Sequence, residues 1–347
     1  MSFYLQFDAM NKVLYEYLES LVCINSMETI CRSISMIGPY VSGISFAEPV
    51  TVGQLKQLTS SATRRSYYRN FSIPKKSGAM REILAPDGLL KDILSAFAFM
   101  LSVLYEAPKN VMAFTRNRSI VNNAREHCGH NYVLNLDLKD FFTTIVALDV
   151  ERGLRSLGFP ADAARIISCV CTYPHVTSSS RVANVLPQGS PVSPILSNIC
   201  AATLDQRLNG LARRFHLTFT RYADDMTFSS NHNVYQEKGD FMTELYKIIN
   251  DCGFTINPLK TRLQKRGARQ EVTGLNVSEH VNVTRKFIKN LRAAIHHLAL
   301  SDTLLKHDVN VIRGKINFLR MVKGNQDSTY LSLLLKFNLA VKGKHYA

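Results

Sequence analysis

The stretch TRYADDMTFSS, residues 220–230, constrains the fold of this chain more than any other segment. Apolar and polar residues alternate on both sides of two adjacent acids, Asp224 and Asp225, as they do in two strands joined by a tight turn. Asp is a common turn residue, and an ordinary turn explains the pair on its own. Adjacent carboxylates also repel each other, and a bound cation would relieve that repulsion. The stretch therefore predicts a hairpin whose turn holds either plain turn residues or metal ligands.

A second alternating stretch, YVLNLDLKDFF, supplies a third carboxylate. Leu134 and Leu136 fall on one face of a strand, and Asn135 and Asp137 fall on the other. We expect Asp137 to meet the acidic pair at one edge of a sheet, where Mg²⁺ would find the oxygen ligands that it prefers. Two such ions about 4 Å apart can drive in-line phosphoryl transfer.

Strands and helices are interleaved along the chain without a regular rhythm, which favours an α+β fold over a doubly wound sheet. Residues 71–86 predict a basic hairpin, and residues 89–105 predict a largely buried helix. GFTIN, residues 253–257, predicts a short strand, and EVTGLNV, residues 271–277, predicts a single strand that contains a glycine. From residue 284 onward the pattern is mostly helical.

The charge of the chain points to a polyanionic partner. The net charge is +15, and residues 281–347 hold 12 Lys and Arg against 3 Asp and Glu, a net of +9. Apolar runs in the same region, such as LSLLLKFNLAV, favour a folded basic subdomain over a tail.

Other classes of protein are disfavoured. The seven cysteines are scattered and lack the paired spacing of a zinc site, which indicates free thiols in a reducing cytoplasm. The N-terminus lacks the basic start of a signal peptide, and no uninterrupted apolar window reaches the length of a membrane span. We therefore expect a cytoplasmic protein with no membrane partner.

Three further stretches suggest a nucleotide substrate, although each has a plainer explanation. Gly189 in LPQGSP would let backbone approach a ligand, but loops of this kind are common. Phe142 could pack against a nucleotide sugar or lie in the core. Lys75, Lys76 and Arg81 could grip a triphosphate or line a solvated turn.

Together, and in this order, the stretches from residue 60 to residue 280 resemble the reverse transcriptases. NNAREH, with Asn123 and His127, and the triplet VTG, Val272–Gly274, resemble two signatures of the bacterial retron enzymes within that family. The resemblance implies a right-hand polymerase fold with fingers, a palm of antiparallel sheet plus helices, and a helical thumb.

The same resemblance implies a division of the chain. Residues 1–50 would form an N-terminal helical extension, and residues 51–130 the fingers. The palm would comprise residues 131–280, although residues 147–185 within that range would return to the fingers or palm. The basic thumb would comprise residues 281–347.

Functional roles follow from the resemblance position by position. The ligands of two Mg²⁺ ions, with Mn²⁺ as an alternative, would be Asp137, Asp224 and Asp225. The proton donor to the departing pyrophosphate would be Lys260. The dNTP would contact Lys75 or Lys76, Arg81, Gln188, Gly189 and Phe142, the last as a steric gate against ribonucleotides. The primer terminus would border Tyr222 and Ala223. The RNA would be bound by Asn123, His127, Val272, Thr273, Gly274 and the basic residues Arg285, Lys286, Lys289 and Arg292.

The implied activity is RNA-directed DNA synthesis on a cognate noncoding RNA (msr-msd) encoded beside the gene. A guanosine 2′-hydroxyl would prime it, the branched product (msDNA) would stay bound, and the system would serve phage defence with an effector protein.

Three alternatives stay open. The signatures at Asn123 and Val272 argue against a diversity-generating or abortive-infection reverse transcriptase, and the acidic triad argues against an RNA-binding scaffold without catalysis. Phe142 and the alanine before the acidic pair disfavour an RNA-dependent RNA polymerase.

Overall fold

The computed structural model describes residues 24–41, 44, 46, 48–74, 78, 80–176, 182–301, 303–342 and 344–346. The chain divides into two compact units, one of residues 1–116, 138–208 and 246–256 and one of residues 117–137, 209–245 and 257–347. Within the described ranges, no helix is both long and apolar enough to cross a bilayer. The six cysteines in those ranges are free thiols, as predicted.

The first unit is mainly helical. Its helices are α1 (Met27–Ile37), α2 (Val52–Thr59), α3 (Ser61–Ser66), α4 (Gly88–Leu104), α6 (Phe141–Thr144), α7 (Ala147–Ser156), α8 (Ala161–Cys171) and α9 (Ser193–Cys200). Helix α2 begins after Thr51, whose side chain accepts a hydrogen bond from the Gln54 amide and caps the helix. Helix α4 buries one broad face, which includes Leu90, Ile93 and Phe97, and most of its other residues are partly buried, which confirms the prediction of a largely buried helix.

The predicted basic hairpin is also confirmed in the first unit. Strands β1 (Tyr68–Pro74) and β2 (Met80–Pro86) pair antiparallel over their full length. A second two-stranded sheet joins β4 (Tyr173–Val176) to β5 (Val182–Val185).

Arg64 is a buried cation that joins two helix ends in this unit. Its side chain is 1% exposed. The guanidinium donates to the carbonyl of Thr172, at the end of α8, over 2.7 Å, and to the carbonyl of Leu58, in the last turn of α2, over 2.9 Å. Helix ends leave such carbonyls without partners inside the helix. Arg64 supplies those partners.

A four-stranded antiparallel sheet forms the centre of the second unit. Its strands follow the order β6 (Thr218–Tyr222), β7 (Asp225–Ser230), β3 (Tyr132–Asp137) and β8 (Arg262–Lys265). The hairpin predicted for residues 220–230 is confirmed as the pair β6–β7.

The two faces of this sheet differ as the alternation in the sequence predicts. Leu134, Leu136 and Phe228 are buried on one face, where Phe228 packs edge-on against Phe241. Polar side chains occupy the other face, where Thr227 donates a hydrogen bond to Asn135 over 3.3 Å. Asp137 belongs to this polar face, because side chains two residues apart on a strand point the same way.

Two strand predictions were wrong. Residues 271–277 form a hairpin of β9 (Glu271–Val272) and β10 (Leu275–Asn276), because Thr273 and Gly274 both take positive φ angles, 47° and 80°, and reverse the chain. Residues 253–257 contribute only one isolated bridge, Leu138 to Ile256.

The C-terminal part of the second unit is helical, as predicted. It contains α12 (Arg285–Leu300), α13 (Lys306–Lys323) and α14 (Ser328–Val341), and β11 (Thr303–Leu304) pairs with β12 (His345–Tyr346). One hydrophobic cluster includes buried residues of these three helices and also residues of α5 (Ile120–Arg125) and of the β9–β10 hairpin. Two further helices, α10 (Ala202–Arg214) and α11 (Asp240–Asp251), each contain a boundary between the units.

Candidate active site

Three carboxylates meet at one edge of the four-stranded sheet. Asp137 is the last residue of β3 and lies directly opposite Asp225, the first residue of β7. Residues opposite each other in an antiparallel pair point to the same face. Asp224 and Ala223 form the two-residue turn between β6 and β7. The structure therefore brings together the three acids that the sequence predicts as one site.

The turn that presents the acids is held from inside the protein. Ala223 is buried and has a positive φ of 58°, which is unusual for a residue with a Cβ atom. The Arg221 guanidinium, fully buried, donates to the Ala223 carbonyl over 2.9 Å. This contact fixes the backbone immediately before Asp224.

Two residues near β8 bind Asp137. The Lys260 ammonium lies 2.6 Å from Asp137 Oδ2. The Asn257 side chain donates to Asp137 Oδ1 over 3.3 Å, and its backbone amide donates to the Asp137 carbonyl over 2.8 Å. Burial lowers the pKa of Lys260, but the hydrogen bond and charge of Asp137 outweigh that effect, so the net change is upward. Lys260 therefore remains a cation beside the acids.

The acids perturb one another. The pKa of Asp225 is raised to about 6, mainly because the surrounding protein partly removes its carboxylate from water, and further because Asp224 and Asp137 are negatively charged. Part of the Asp225 side chain still reaches solvent. A carboxylate in such surroundings gains stability from any added positive charge.

The donor set suits a hard divalent cation, which favours carboxylate oxygens. Among the described side chains, however, no three acidic, histidine or cysteine groups already stand in a metal-binding arrangement. Both oxygens of Asp137 have protein partners instead, Lys260 and Asn257. The chemistry of the site fits a cation, and binding one through Asp137 would require Lys260 to give way.

A family model described as reverse transcriptase (RNA-dependent DNA polymerase) matches residues 73–290, well over half of the chain and all three acids. The chain belongs to the reverse transcriptase family. The predicted α+β fold and the predicted activity, RNA-directed DNA polymerase, are confirmed by this match, and the family implies dependence on a divalent metal.

Relatives of this reverse transcriptase include retron enzymes. The retron Mx65 reverse transcriptase of Myxococcus xanthus is 34% identical, over 82% of this chain and 68% of its own length. The retron Ec86 reverse transcriptase of Escherichia coli is 34% identical, over 84% of this chain and 88% of its own length. These relatives confirm the predicted resemblance to the retron enzymes.

Solved structures add only a distant likeness. Telomerase from Candida albicans, in complex with a TWJ fragment of telomeric RNA, is 10% identical with a TM-score of 0.44. The match covers 79% of this chain but only 60% of that chain, less than two thirds of it.

The residues predicted to bind the nucleotide belong to the first unit of the reverse transcriptase, where Lys75 and Lys76 lie outside the described residues. Arg81 is exposed on strand β2. Phe142 is half-buried, and its ring centroid is 6.4 Å from that of Phe114. Their roles toward a nucleotide stay predictions.

Gly189 has a structural reason that the sequence did not reveal. The Gln188 carbonyl accepts a hydrogen bond from the Leu84 amide of strand β2 over 2.8 Å. Gly189 has a φ of 124°, and a Cβ atom there would lie 2.8 Å from the Leu84 carbonyl oxygen. The glycine thus permits close approach of backbone to backbone, whereas the sequence had suggested approach to a ligand.

The residues predicted to bind RNA fall into two groups. Arg285, Lys286, Lys289 and Arg292 are all exposed on helix α12, where a polyanion could reach them. The side chains of Asn123, His127 and Val272, in contrast, are at most 1% exposed, so they have no surface to offer to RNA. Thr273 is half-buried and Gly274 is exposed. Direct contact of those three buried side chains with RNA is therefore not expected, and RNA recognition by Thr273, Gly274 and the cations of α12 stays a prediction.

Sequence reasoning missed Arg221 and Asn257. Arg221 stands in an alternating strand pattern where a charged residue suggests a solvent face, and nothing local reveals that it is buried. Asn257 precedes a proline, a dipeptide that favours a turn, and the structure shows Asn257 capping a short 3₁₀ helix, Pro258–Lys260. That dipeptide could have indicated that Asn257 positions Lys260.

Proposed function

We propose that this reverse transcriptase copies a cognate structured RNA into DNA as the polymerase of a retron. The observation that carries the proposal is the meeting of Asp137 and Asp225 at one sheet edge, in a chain to which two retron relatives align over more than four fifths of its length. A primer hydroxyl would attack the α-phosphate of an incoming dNTP and release pyrophosphate.

Asp137, Asp224 and Asp225 would hold two Mg²⁺ ions, with Mn²⁺ as an alternative. When bound, the ions supply positive charge to the attacking and leaving oxygens. The raised pKa of Asp225, about 6, supports this role, because a site that repels its own charges has the most to gain from a cation.

The remaining site residues orient the reactants and move a proton. Lys260, which carries its proton beside Asp137 in this structure, would give way to the cation and donate that proton to the departing pyrophosphate. Tyr222, at the end of β6 opposite Asp225, would border the primer terminus together with Ala223.

On the nucleotide side, the exposed Arg81 would bind phosphate together with Lys75 or Lys76. Phe142 would exclude a ribose 2′-hydroxyl, and Gln188 and Gly189 would shape the pocket beside the template.

The proposed partners follow from the retron relatives and from the charge. The template would be a noncoding RNA encoded beside the gene, primed from the 2′-hydroxyl of a guanosine, and the product a branched msDNA. The exposed cations of α12 would bind the RNA backbone. The enzyme would act in the cytoplasm, in phage defence, with an effector protein.

The experiment is primer extension with purified protein on two templates, the RNA transcribed from the neighbouring locus and a generic primed RNA. We expect labelled DNA from both templates. On the RNA of the neighbouring locus, synthesis should need no added primer, and the DNA should be joined to that RNA through a bond that a debranching enzyme cleaves. The double variant Asp224→Asn/Asp225→Asn should make no DNA on either template.

The two arms separate the levels of the proposal. DNA synthesis by the double variant would refute the assignment of the acids. Synthesis on the generic template alone would leave the polymerase activity intact and remove the retron role.

A further inference from the structure

A chain of hydrogen-bonded polar side chains runs through the second unit on the face of the sheet that carries the acids, and all its members except the half-buried Thr273 are buried. His127, fully buried, has its Nδ1 2.7 Å from Ser229 Oγ and its Nε2 2.7 Å from Thr220 Oγ1. Thr220 donates to Asn123 Oδ1 over 2.6 Å. The Asn123 amide reaches Thr273 Oγ1 at 3.5 Å, and Thr273 donates to the Ile120 carbonyl at 3.4 Å.

The donors and acceptors in this chain have one consistent order. Asn123 Oδ1 can only accept, so the single hydroxyl proton of Thr220 is committed to it. Thr220 must then accept from His127, which places the imidazole proton on Nε2. Burial, with a smaller contribution from His130, lowers the pKa of His127 to about 3, so the imidazole is neutral. With its proton on Nε2, His127 accepts at Nδ1 from the Ser229 hydroxyl.

These hydrogen bonds hold together the two strands, β6 and β7, that carry the acidic turn. Thr220 lies on β6 two residues before Tyr222, and Ser229 lies on β7 four residues after Asp225. These even spacings put Thr220, Ser229, Asp225 and the opposed Asp137 on one face of the sheet. His127 thus connects both strands of the hairpin from the face on which the carboxylates stand.

The other end of the chain is the β9–β10 turn. Thr273 is β-branched and has a φ of 47°, a conformation that costs energy and persists only where surrounding contacts enforce it. Asn135 and Gln264, on the same polar face of the sheet, each donate to the Glu271 carbonyl at the start of this hairpin, over 2.7 and 3.1 Å. The turn is therefore bound to the polar face at several points.

We propose that Asn123, His127 and Thr220 are positioning residues for catalysis, which hold the β6–β7 hairpin so that Asp225 stays opposite Asp137. On this proposal the two retron-like stretches, residues 122–127 and 272–274, are joined by hydrogen bonds inside the protein. They hold the carboxylates in place through the hydroxyls of Thr220 and Ser229. The proposal rests on the polymerase activity of the family and does not depend on the retron RNA.

The test separates positioning from RNA recognition and from stability. Thr220→Val keeps the shape and removes the hydroxyl, so Asn123 Oδ1 and His127 Nε2 lose their shared partner. Thr220→Ser restores the hydroxyl. Thr218→Val is the control, because Thr218 stands on the same face of the same strand but outside the chain of hydrogen bonds. Each variant is assayed for kcat and KM on a generic primed RNA, for the Kd of the neighbouring-locus RNA, and for Tm.

We expect Thr220→Val to lower kcat on the order of 10- to 100-fold, as a small misplacement of catalytic groups does, with the RNA Kd within about twofold. Thr220→Ser and Thr218→Val should stay within about threefold of the parent kcat. An unchanged kcat in a folded Thr220→Val protein would overturn the proposal. So would a weakened RNA Kd with kcat retained, which is the result that direct recognition by these residues predicts.

Should Thr220→Val fail to fold, Ser229→Ala removes only the outermost donor of the chain. It should show the same division between kcat and Kd, and faster hydrogen exchange at the amides of β7. If both variants unfold, these hydrogen bonds are needed for folding alone and the positioning role is overturned.

Discussion

Replacing Asp225 by asparagine should make the protein more stable in the absence of metal, although it abolishes polymerisation. The pKa of Asp225 in the folded protein, about 6, lies above the ordinary value of 3.8, so ionisation of this group opposes folding. That difference would correspond to about 3 kcal/mol in a fully buried site. Because Asp225 is exposed to solvent on one side, we discount the figure to about 1 kcal/mol.

The pH dependence has a definite sign. Above pH 7 the carboxylate is ionised in both the folded and the unfolded chain, and the destabilisation is complete. As the pH falls through 6 the folded protein takes up a proton first, and the destabilisation fades by about pH 4. The advantage of Asp225→Asn should therefore be largest at neutral and alkaline pH and vanish at acidic pH.

The assay is urea unfolding followed by far-ultraviolet circular dichroism, since the chain contains no tryptophan. Glu244→Gln is the matched control in the same unit, because it neutralises an acid that is paired with Arg214. It should lower stability by at most about 1 kcal/mol, the opposite sign. Millimolar Mg²⁺ should stabilise the parent protein and leave Asp225→Asn unchanged. A metal-free Asp225→Asn protein no more stable than the parent at neutral pH would refute the account of charge crowding.

Three further outcomes are expected. Gly189→Ala should lower the free energy of unfolding by about 2 kcal/mol or more, because the backbone there is strained and the contact with β2 would be lost. The control is Gly53→Ala, at an unstrained and exposed helical position of the same unit, which should raise the free energy of unfolding by about 0.5 kcal/mol. Equal urea midpoints for the two variants would contradict this expectation. Phe142→Ala should raise ribonucleotide incorporation in single-nucleotide extension, and unchanged sugar discrimination would return that residue to a packing role. Lys289→Gln/Arg292→Gln should reduce the slope of log Kd for RNA against log salt by about 2, and an unchanged slope would remove helix α12 from the RNA interface.

The active hairpin could be predicted from the sequence because its signal is local. Alternation with a period of two marks β3, β6 and β7, and it also decides which residues share a face with Asp137. The basic hairpin of residues 71–86 has a different local signal, a turn segment between two strands. The confirmed strands are therefore those that the sequence marks either by their own period or by an adjoining turn.

The errors have physical causes as well. Strands β9 and β10 are two residues long, too short to show alternation, so a turn glycine was interpreted as a glycine within a strand. His127 has partners about a hundred residues away along the chain, at Thr220 and Ser229, and no local pattern reveals that a polar residue is buried. Buried polar contacts of this kind are set by tertiary structure alone.

The setting of Arg64 has a consequence for how the enzyme tolerates salt. Its neighbours are peptide dipoles at the ends of α2 and α8, so its charge is solvated by backbone much as it would be by water. Mobile ions screen exposed charges but have little access to a buried one. An increase in ionic strength that would release nucleic acid from exposed cations should therefore leave the hydrogen bonds of Arg64 to Thr172 and Leu58 intact. On the proposed function, high salt would remove bound RNA while Arg64 keeps its contacts with the ends of α2 and α8.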